Sequence, residues 1–329
     1  MATIRITADD FGVHDNIDRG IIACAKNGTI NNIDTMVTLN DSKARIRDLM
    51  RKFKPEFRSG KLSLGLHLSL SCGSPLYHVH EEYLNAIAKL DKIKKTNQER
   101  YFFKYSGGAG LEMIENIEKL TAGYLPQLVE EMNAQYVEFK QITHDVIPDY
   151  EPSQISSHLG VYIANDAIYE ASREFCKERN LAMRCPTLMK YDPDYGPLWK
   201  TPKQKFLPAE LIEFFAGKEG KKILEWVKNG QFKAFRQDQQ DGLRSTDYFV
   251  EYFFRNGTFE SLREIVERMK IMGDYSYEMV VHPVYAKSKA GLPGGISRLN
   301  FGDRVAEYET LKSKAAKEYL VPIIHPAGL

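Results

Sequence analysis

The feature that most constrains this chain is a rhythm in which short β-rich runs alternate with amphipathic helical stretches. The run "TIRITA" (3–8) is β-rich, and "NIDRGIIACAKNG" (16–28) carries Ile17, Ile21, Ile22 and Ala25 at helical spacing before Gly28 stops it. "IDTMVTL" (33–39) then precedes a charged helix near 41–53, and "KLSLGLHLSL" (61–70) alternates by two. Further on, a helix over 111–134, "SQISSHL" (153–159), a helix near 165–180 and "LAMRCP" (181–186) keep the alternation. Helices near 208–229, a strand-like "FKAFR" (232–236), helices near 246–272, "YEMVVHP" (277–283) and a helix-strand pair over 303–324 complete it. Alternation of this kind favours a parallel sheet covered by helices, and about seven units suggest a TIM-like (β/α) barrel. Two stretches break the pattern, near 71–110 and 187–208, and read as insertions into a single domain spanning 1–329.

Charge and composition narrow the partners. Lys and Arg total 45 against 44 Asp and Glu, so a formal net charge of +1 gives no long-range pull toward nucleic acid or anionic lipid. No apolar run approaches the roughly 18 residues that a bilayer span needs. The four cysteines, Cys24, Cys72, Cys176 and Cys185, are scattered without metal-knot or disulfide spacing. The expectation is a cytoplasmic chain without a targeting signal, acting on a small molecule, with no nucleic-acid or membrane partner.

In a barrel of this class the reacting side chains come from the C-terminal ends of strands. Asp9 and Asp10 end the first strand, His67 lies late in the third, His158 follows "SQISS", and His282 ends "YEMVVH". Singly, each has an ordinary explanation as a turn former, helix cap or core histidine. Jointly they deliver only Asp and His to one face, which is costly to bury unless the groups pair or bind a metal. One carboxylate and two imidazoles leave a coordination position open for water, whose pKa a divalent cation lowers from about 16 to about 7. A neighbouring carboxylate as general base and a histidine as general acid would complete a hydrolytic site.

Other chemistries lack their signatures. There is no G-x-S-x-G, H-E-x-x-H or G-x-x-x-x-G-K-[ST] run. The loops "SGGAG" (106–110) and "GLPGG" (291–295) lack the Lys-Ser/Thr of a phosphate loop, although they keep a hydrolase of phosphorylated sugars in play. Adjacent acids such as Asp9 and Asp10 do not suit a two-carboxylate glycosidase, whose acids flank the sugar roughly 5 to 9.5 Å apart. "YFFKY" (101–105) and "YDPDYGPLW" (191–199) offer aromatic rings that would stack on sugars.

Taken in order, "TADDFG", "GLHLSL" with "GSPL" from Gly65 to Leu76, "SHL" (157–159), "MRCP" (183–186), "STDYF" (245–249), "HP" (282–283) and "RVAEYETL" (304–311) resemble the YdjC-like family of carbohydrate deacetylases, which includes the chitooligosaccharide deacetylases. The resemblance runs nearly the whole chain. It implies a deformed, polysaccharide-deacetylase-like (β/α) barrel, one divalent metal ion (Mg2+ or Zn2+), and removal of an acetyl group from an N-acetylated amino sugar or oligosaccharide. By the same resemblance Asp10, His67 and His158 are the metal ligands and Asp9 is the general base. His282 protonates the leaving amine, Arg184 holds Asp9 charged and oriented, and a homodimer is an expectation. The family's usual Asp-Ser-His-x-His-x-His run reads Ser156-Ser157-His158-Leu159-Gly160-Val161-Tyr162 here, so one ligand remains while an acid and two histidines are replaced. His-Pro-Gly has become His282-Pro283-Val284. These departures keep a second class of function in view, a sugar-binding or regulatory protein with a vestigial metal site.

Overall fold

The structure is a computed structural model, and it describes residues 2–39, 41–69, 73–77, 109–158, 160, 166–185, 232–253, 256–285 and 301–324. The sheet begins with β1 (Thr3–Phe11), followed by α1 (Asp15–Asn27) and β2 (Asn32–Thr35). After α2 (Ser42–Lys52) and α3 (Lys54–Arg58) comes β3 (Ser63–Leu68). The long α4 (Ala109–His144) leads to β4 (Ile155–Ser157) and α5 (Asp166–Glu178). Then come α6 (Phe232–Gln240), β5 (Tyr248–Val250), α7 (Phe259–Met272) and β6 (Ser276–Val281), and α8 (Phe301–Lys312) and α9 (Lys314–Leu320) end the described chain.

The six strands among the described residues are all parallel, in the order β4-β3-β2-β1-β6-β5, and form a curled half-barrel. Beyond β4 the curl continues through a parallel bridge from Ile155 to Met183, whose N–H donates to Arg244 O just ahead of β5. The strand-like "LAMRCP" therefore occupies the next position around the barrel. "FKAFR" lies within helix α6, because its apolar residues Phe232 and Phe235 fall three apart and Phe235 is fully buried. The segment read as the start of a helix at 246 contains β5 instead. α4 outruns its expected 111–134 span, and it kinks at Tyr124 just before Pro126, which cannot donate to the helix ladder.

The strands are buried on both faces, as parallel sheets require. Ile4, Ile6 and Ala8 of β1 belong to the apolar core with Ile17 and Ile21 of α1. The alternate residues of the strands are polar yet buried: Arg5, Thr7 and Asp9 on β1, Asn32 and Asp34 on β2, His67 on β3, Gln154 and Ser156 at β4, and Glu278 on β6. Their register stacks them, with Arg5 beside Glu278, Thr7 beside Asn32, and His67 beside Ser156. A barrel interior that is usually apolar is here a polar ladder leading up to the strand ends.

The insertion near 187–208, "YFFKY", "YDPDYGPLW", "GLPGG" and Cys72 lie outside the described residues, as do most of the insertion near 71–110 and the first three residues of "SGGAG". Where the chain is described at 73–77, Glu131 of α4 anchors it by accepting from the N–H groups of Leu76 (3.1 Å) and Tyr77 (2.7 Å). Burial pushes the Glu131 carboxyl up to about 7, against the pull of its donors Gln135, Tyr77 and Leu76. A carboxyl raised from 4.5 to about 7 holds its proton more tightly folded than unfolded, so its stabilisation is complete below about 4.5 and is lost as pH rises toward 7. At about 1.4 kcal/mol per pKa unit, the loss is of the order of 3 kcal/mol. Urea unfolding from pH 4.5 to 7.5 should show wild type losing stability relative to Glu131→Gln across that window. Parallel profiles for the two proteins would contradict the assignment.

Candidate metal and catalytic site

The site is built on an irregularity at the end of β1. Pairing with β2 runs Thr7 to Asn32 and Ala8 to Ile33, then slips so that Phe11 faces Thr35. Within the slip Asp10 adopts a φ of 70°, a left-handed conformation that Asp tolerates better than most residues with a side chain. In an unbroken strand Asp9 and Asp10 would face opposite sides of the sheet. Here both reach the same imidazole: His67 Nε2 lies 3.8 Å from Asp9 Oδ2 and 3.6 Å from Asp10 Oδ1. Gly12 follows with φ 98°, where a Cβ would come within 2.9 Å of Met36 O.

The two oxygens of Asp10 have different surroundings. Arg304 Nη1 donates to Oδ2 at 2.8 Å. Oδ1 is buried and accepts no hydrogen bond from the described residues, with His67 Nε2 and His158 Nε2 at 3.6 and 3.7 Å. The two rings meet edge to face with centroids 5.8 Å apart. Leaving a buried carboxylate oxygen unsatisfied costs about 1–3 kcal/mol or more. One carboxylate oxygen and two imidazole nitrogens are, by ligand type, a set that fits a divalent cation when both rings keep their Nε2 lone pair.

Asp9 is held differently. Arg184 grips it with both arms, Nη1 on Oδ2 and Nη2 on Oδ1, each at 2.7 Å. The same guanidinium reaches Asp34 Oδ2 at 3.0 Å and Glu278 Oε1 at 2.9 Å from Nη2 and 3.1 Å from Nε. Gln154 closes the ring of contacts, donating to Asp34 Oδ2 and Glu278 Oε1 while accepting from Arg5. Asp9, Asp34 and His67 also each present a ligand-type atom within 4.8 Å of the others, so this trio too could hold a metal ion. Its two carboxylates, however, already share the Arg184 guanidinium.

His282 follows β6, and three contacts fix its loop. Its own N–H donates to Glu307 Oε2, Val284 N–H donates to Arg304 O, and Tyr285 N–H donates to Asn16 O. Gly20 of α1 lies directly against the Pro283 carbonyl, where a Cβ would collide. Helices α1 and α8 therefore clamp the loop from two sides.

Burial pushes the Asp9 carboxyl up to about 6 although Arg184 works against it. Burial also opposes ionisation of Asp10, but Arg304 and the surrounding imidazoles outweigh it and hold that carboxyl well below the usual range. Desolvation lowers His67 and His158 to about 4 despite the attraction of Asp10. Burial, with Arg304 next, holds His282 well below its ordinary value. Near neutral pH the imidazoles are therefore neutral.

All six residues expected from the sequence, Asp9, Asp10, His67, His158, Arg184 and His282, lie in this one cluster. Reasoning from strand ends missed Asp34, Ser156 and Glu278 inside strands, and Arg304 and Glu307 on α8. A charged residue four positions before the strand-end His282 was the available signal for Glu278, since residues at i, i+2 and i+4 share a face. Arg304 and Glu307 stand inside "RVAEYETL", where nothing local marks their partners.

The family model of YdjC-like proteins matches residues 3–321. This chain belongs to the YdjC-like family. It is 22% identical to a carbohydrate deacetylase of Clostridium beijerinckii and 23% identical to one of Xenopus laevis, in each case over 96% of this chain and 93% of the relative. In fold it is similar to a crystal structure from Enterococcus faecalis described as that of a candidate cellobiose-phosphate cleavage protein. The TM-score is 0.62 and the identity 17%, over 99% of this chain and 97% of that one. Among the described residues no helix is long and apolar enough to cross a membrane.

Removing Arg184 would leave the Asp9, Asp34 and Glu278 carboxylates crowded in the interior without their shared cation. Breaking a buried pair from one side costs about 3–5 kcal/mol. Arg184→Ala should lose stability on that scale in urea unfolding near pH 7, and a loss below about 1 kcal/mol would show that the carboxylates do not depend on it.

Proposed function

We propose that this chain is a metal-dependent carbohydrate deacetylase that hydrolyses the acetyl amide of an N-acetylated amino sugar or oligosaccharide. The observation that carries the reading is the Asp10 carboxylate, with Oδ2 tied to Arg304 and Oδ1 left bare between two imidazole nitrogens. Asp10, His67 and His158 are the residues that would hold the cation. The Asp9 and Asp34 alternative is weaker, because Arg184 already supplies the positive charge there. When bound, a divalent cation polarises the acetyl carbonyl and lowers the pKa of a coordinated water. The choice between Mg2+ and Zn2+ is left to experiment, since an Asp-His-His set accommodates either.

The chain's own groups supply the proton transfers. Asp9 is the general base, receiving the water proton on a carboxylate oxygen that Arg184 orients. Its carboxyl at about 6 is ionised at neutral pH yet basic enough to accept a proton, which an ordinary surface aspartate is not. The departing nitrogen needs a proton, because an amine leaves poorly as its anion, and His282, neutral at rest, passes on the proton that Asp9 has taken from the water. Its loop is clamped by Glu307 and by the backbone of Arg304, so the imidazole is held against the cluster. The polar ladder beneath the site fixes these groups and leaves the strand-end face for the sugar. The names of the relatives support an amide-hydrolysing reading. A cytoplasmic location and a homodimer remain part of the proposal.

Asp9→Asn should retain metal by elemental analysis while acetate release from N-acetylated mono- and oligosaccharides falls about 10² to 10⁴-fold, the usual worth of general base catalysis. Full activity in that variant would remove Asp9 from the role. His158→Ala should lose bound metal, and an unchanged metal content would strike it from the ligand set. Silence of the wild type across the sugar panel with retained sugar binding would favour a binding protein over an enzyme.

A further inference from the structure

His67 can ligate through Nε2 only if the ring hydrogen sits on Nδ1, so whatever faces Nδ1 decides whether the ring is a ligand. That partner is the Ser156 hydroxyl, 2.7 Å away on the neighbouring strand. Ser156 in turn donates its hydroxyl hydrogen to Asp34 Oδ2. A serine has one such hydrogen. With that hydrogen committed to a carboxylate, Ser156 Oγ must accept from His67 Nδ1–H, and Nε2 keeps its lone pair.

Asp34 accepts in each of its contacts, with the Arg184 guanidinium opposing the burial that pushes its carboxyl up. Its Oδ2 takes hydrogen bonds from Gln154 Nε2 at 2.9 Å, Arg184 Nη2 at 3.0 Å and Ser156, and its Oδ1 takes one from Asn32 Nδ2 at 2.8 Å. It is fully buried, and room for it comes from Gly65, where a Cβ would collide with Asp34 Oδ1. Gly65 stands directly opposite Asp34 in the β2–β3 register, two residues before His67 on the same face. Asp34 thus lies one hydroxyl away from the ring.

We propose that Asp34, acting through Ser156, is a positioning residue that fixes the His67 tautomer. The inference rests on the metal-dependent reading for its purpose, while the tautomer can be read without metal. Asp34 is here a support for a ligand rather than a ligand itself, the opposite of its place in an Asp9–Asp34–His67 metal site.

The first test is 15N-histidine NMR on the metal-free wild type, which should show His67 with its hydrogen on Nδ1. The second is Zn2+ titration by calorimetry. Ser156→Ala and Asp34→Asn should each weaken binding about 10- to 100-fold, the usual effect of losing a ligand's hydrogen-bonded support. The two losses should not add in the double variant, because one relay is broken either way. In Asp34→Ala with Ser156→Asp, the carboxylate returns next to Nδ1, and both affinity and tautomer should recover toward wild type. A hydrogen on Nε2 in the metal-free wild type would overturn the proposal, as would Ser156→Ala binding Zn2+ like wild type while Asp34→Asn loses it. A wild type with the predicted tautomer that binds no metal would leave the relay standing and defeat the metal-dependent reading.

Discussion

One guanidinium holds the interior together. Arg184 lies among Asp9, Asp34 and Glu278, contacts all three, and is nearly buried with them. Three carboxylates in so small a volume would otherwise repel one another and stay protonated, since burying isolated charges costs several kcal/mol each. Arg184 comes from the segment that continues the sheet past β4, whereas its partners come from β1, β2 and β6. The pairing therefore ties opposite sides of the half-barrel across the interior. Lysine could not do the same, because a single ammonium lacks the fork that spans Asp9 in two bonds while reaching the others.

Around this hub, two adjacent acids are separated in role by backbone geometry. The slip in β1 and the left-handed Asp10 bring both carboxylates into the interior. Arg184 then claims Asp9, and Arg304 claims one oxygen of Asp10. The oxygen left over faces two imidazoles, and that asymmetry is the basis for assigning a cation to Asp10 and a proton to Asp9. Helix α8 contributes twice, once through Arg304 at the carboxylate and once through Glu307 at the His282 backbone, so the end of the chain organises a site begun by its first strand.

The strand-end residues were legible because parallel βα units place chemistry there, and Asp9, Asp10, His67, His158 and His282 all stand at or near such ends. The supporting layer was harder to read. Asp34 sits inside "IDTMVTL", where an acid in an apolar run looks like a strand edge or a turn, and only the register opposite Gly65 and the neighbouring Ser156 reveal its use. The replaced run at 156–162 suggested a lost carboxylate, yet sequence distance hid that another stands one hydroxyl away. "FKAFR" misled because two aromatics within five residues favour a strand by propensity, whereas Phe232 and Phe235, three apart, share a face only in a helix, and burial of Phe235 fits that helix.

In the proposed site a divalent cation belongs between Asp10 Oδ1, His67 Nε2 and His158 Nε2. Crystals soaked in Zn2+ and measured by anomalous diffraction test it most directly. One strong anomalous peak is expected within bonding distance of those three atoms, with Arg184 still on Asp9. A peak held instead by Asp9 and Asp34 with Arg184 displaced, or no peak in the cluster at all, would contradict it.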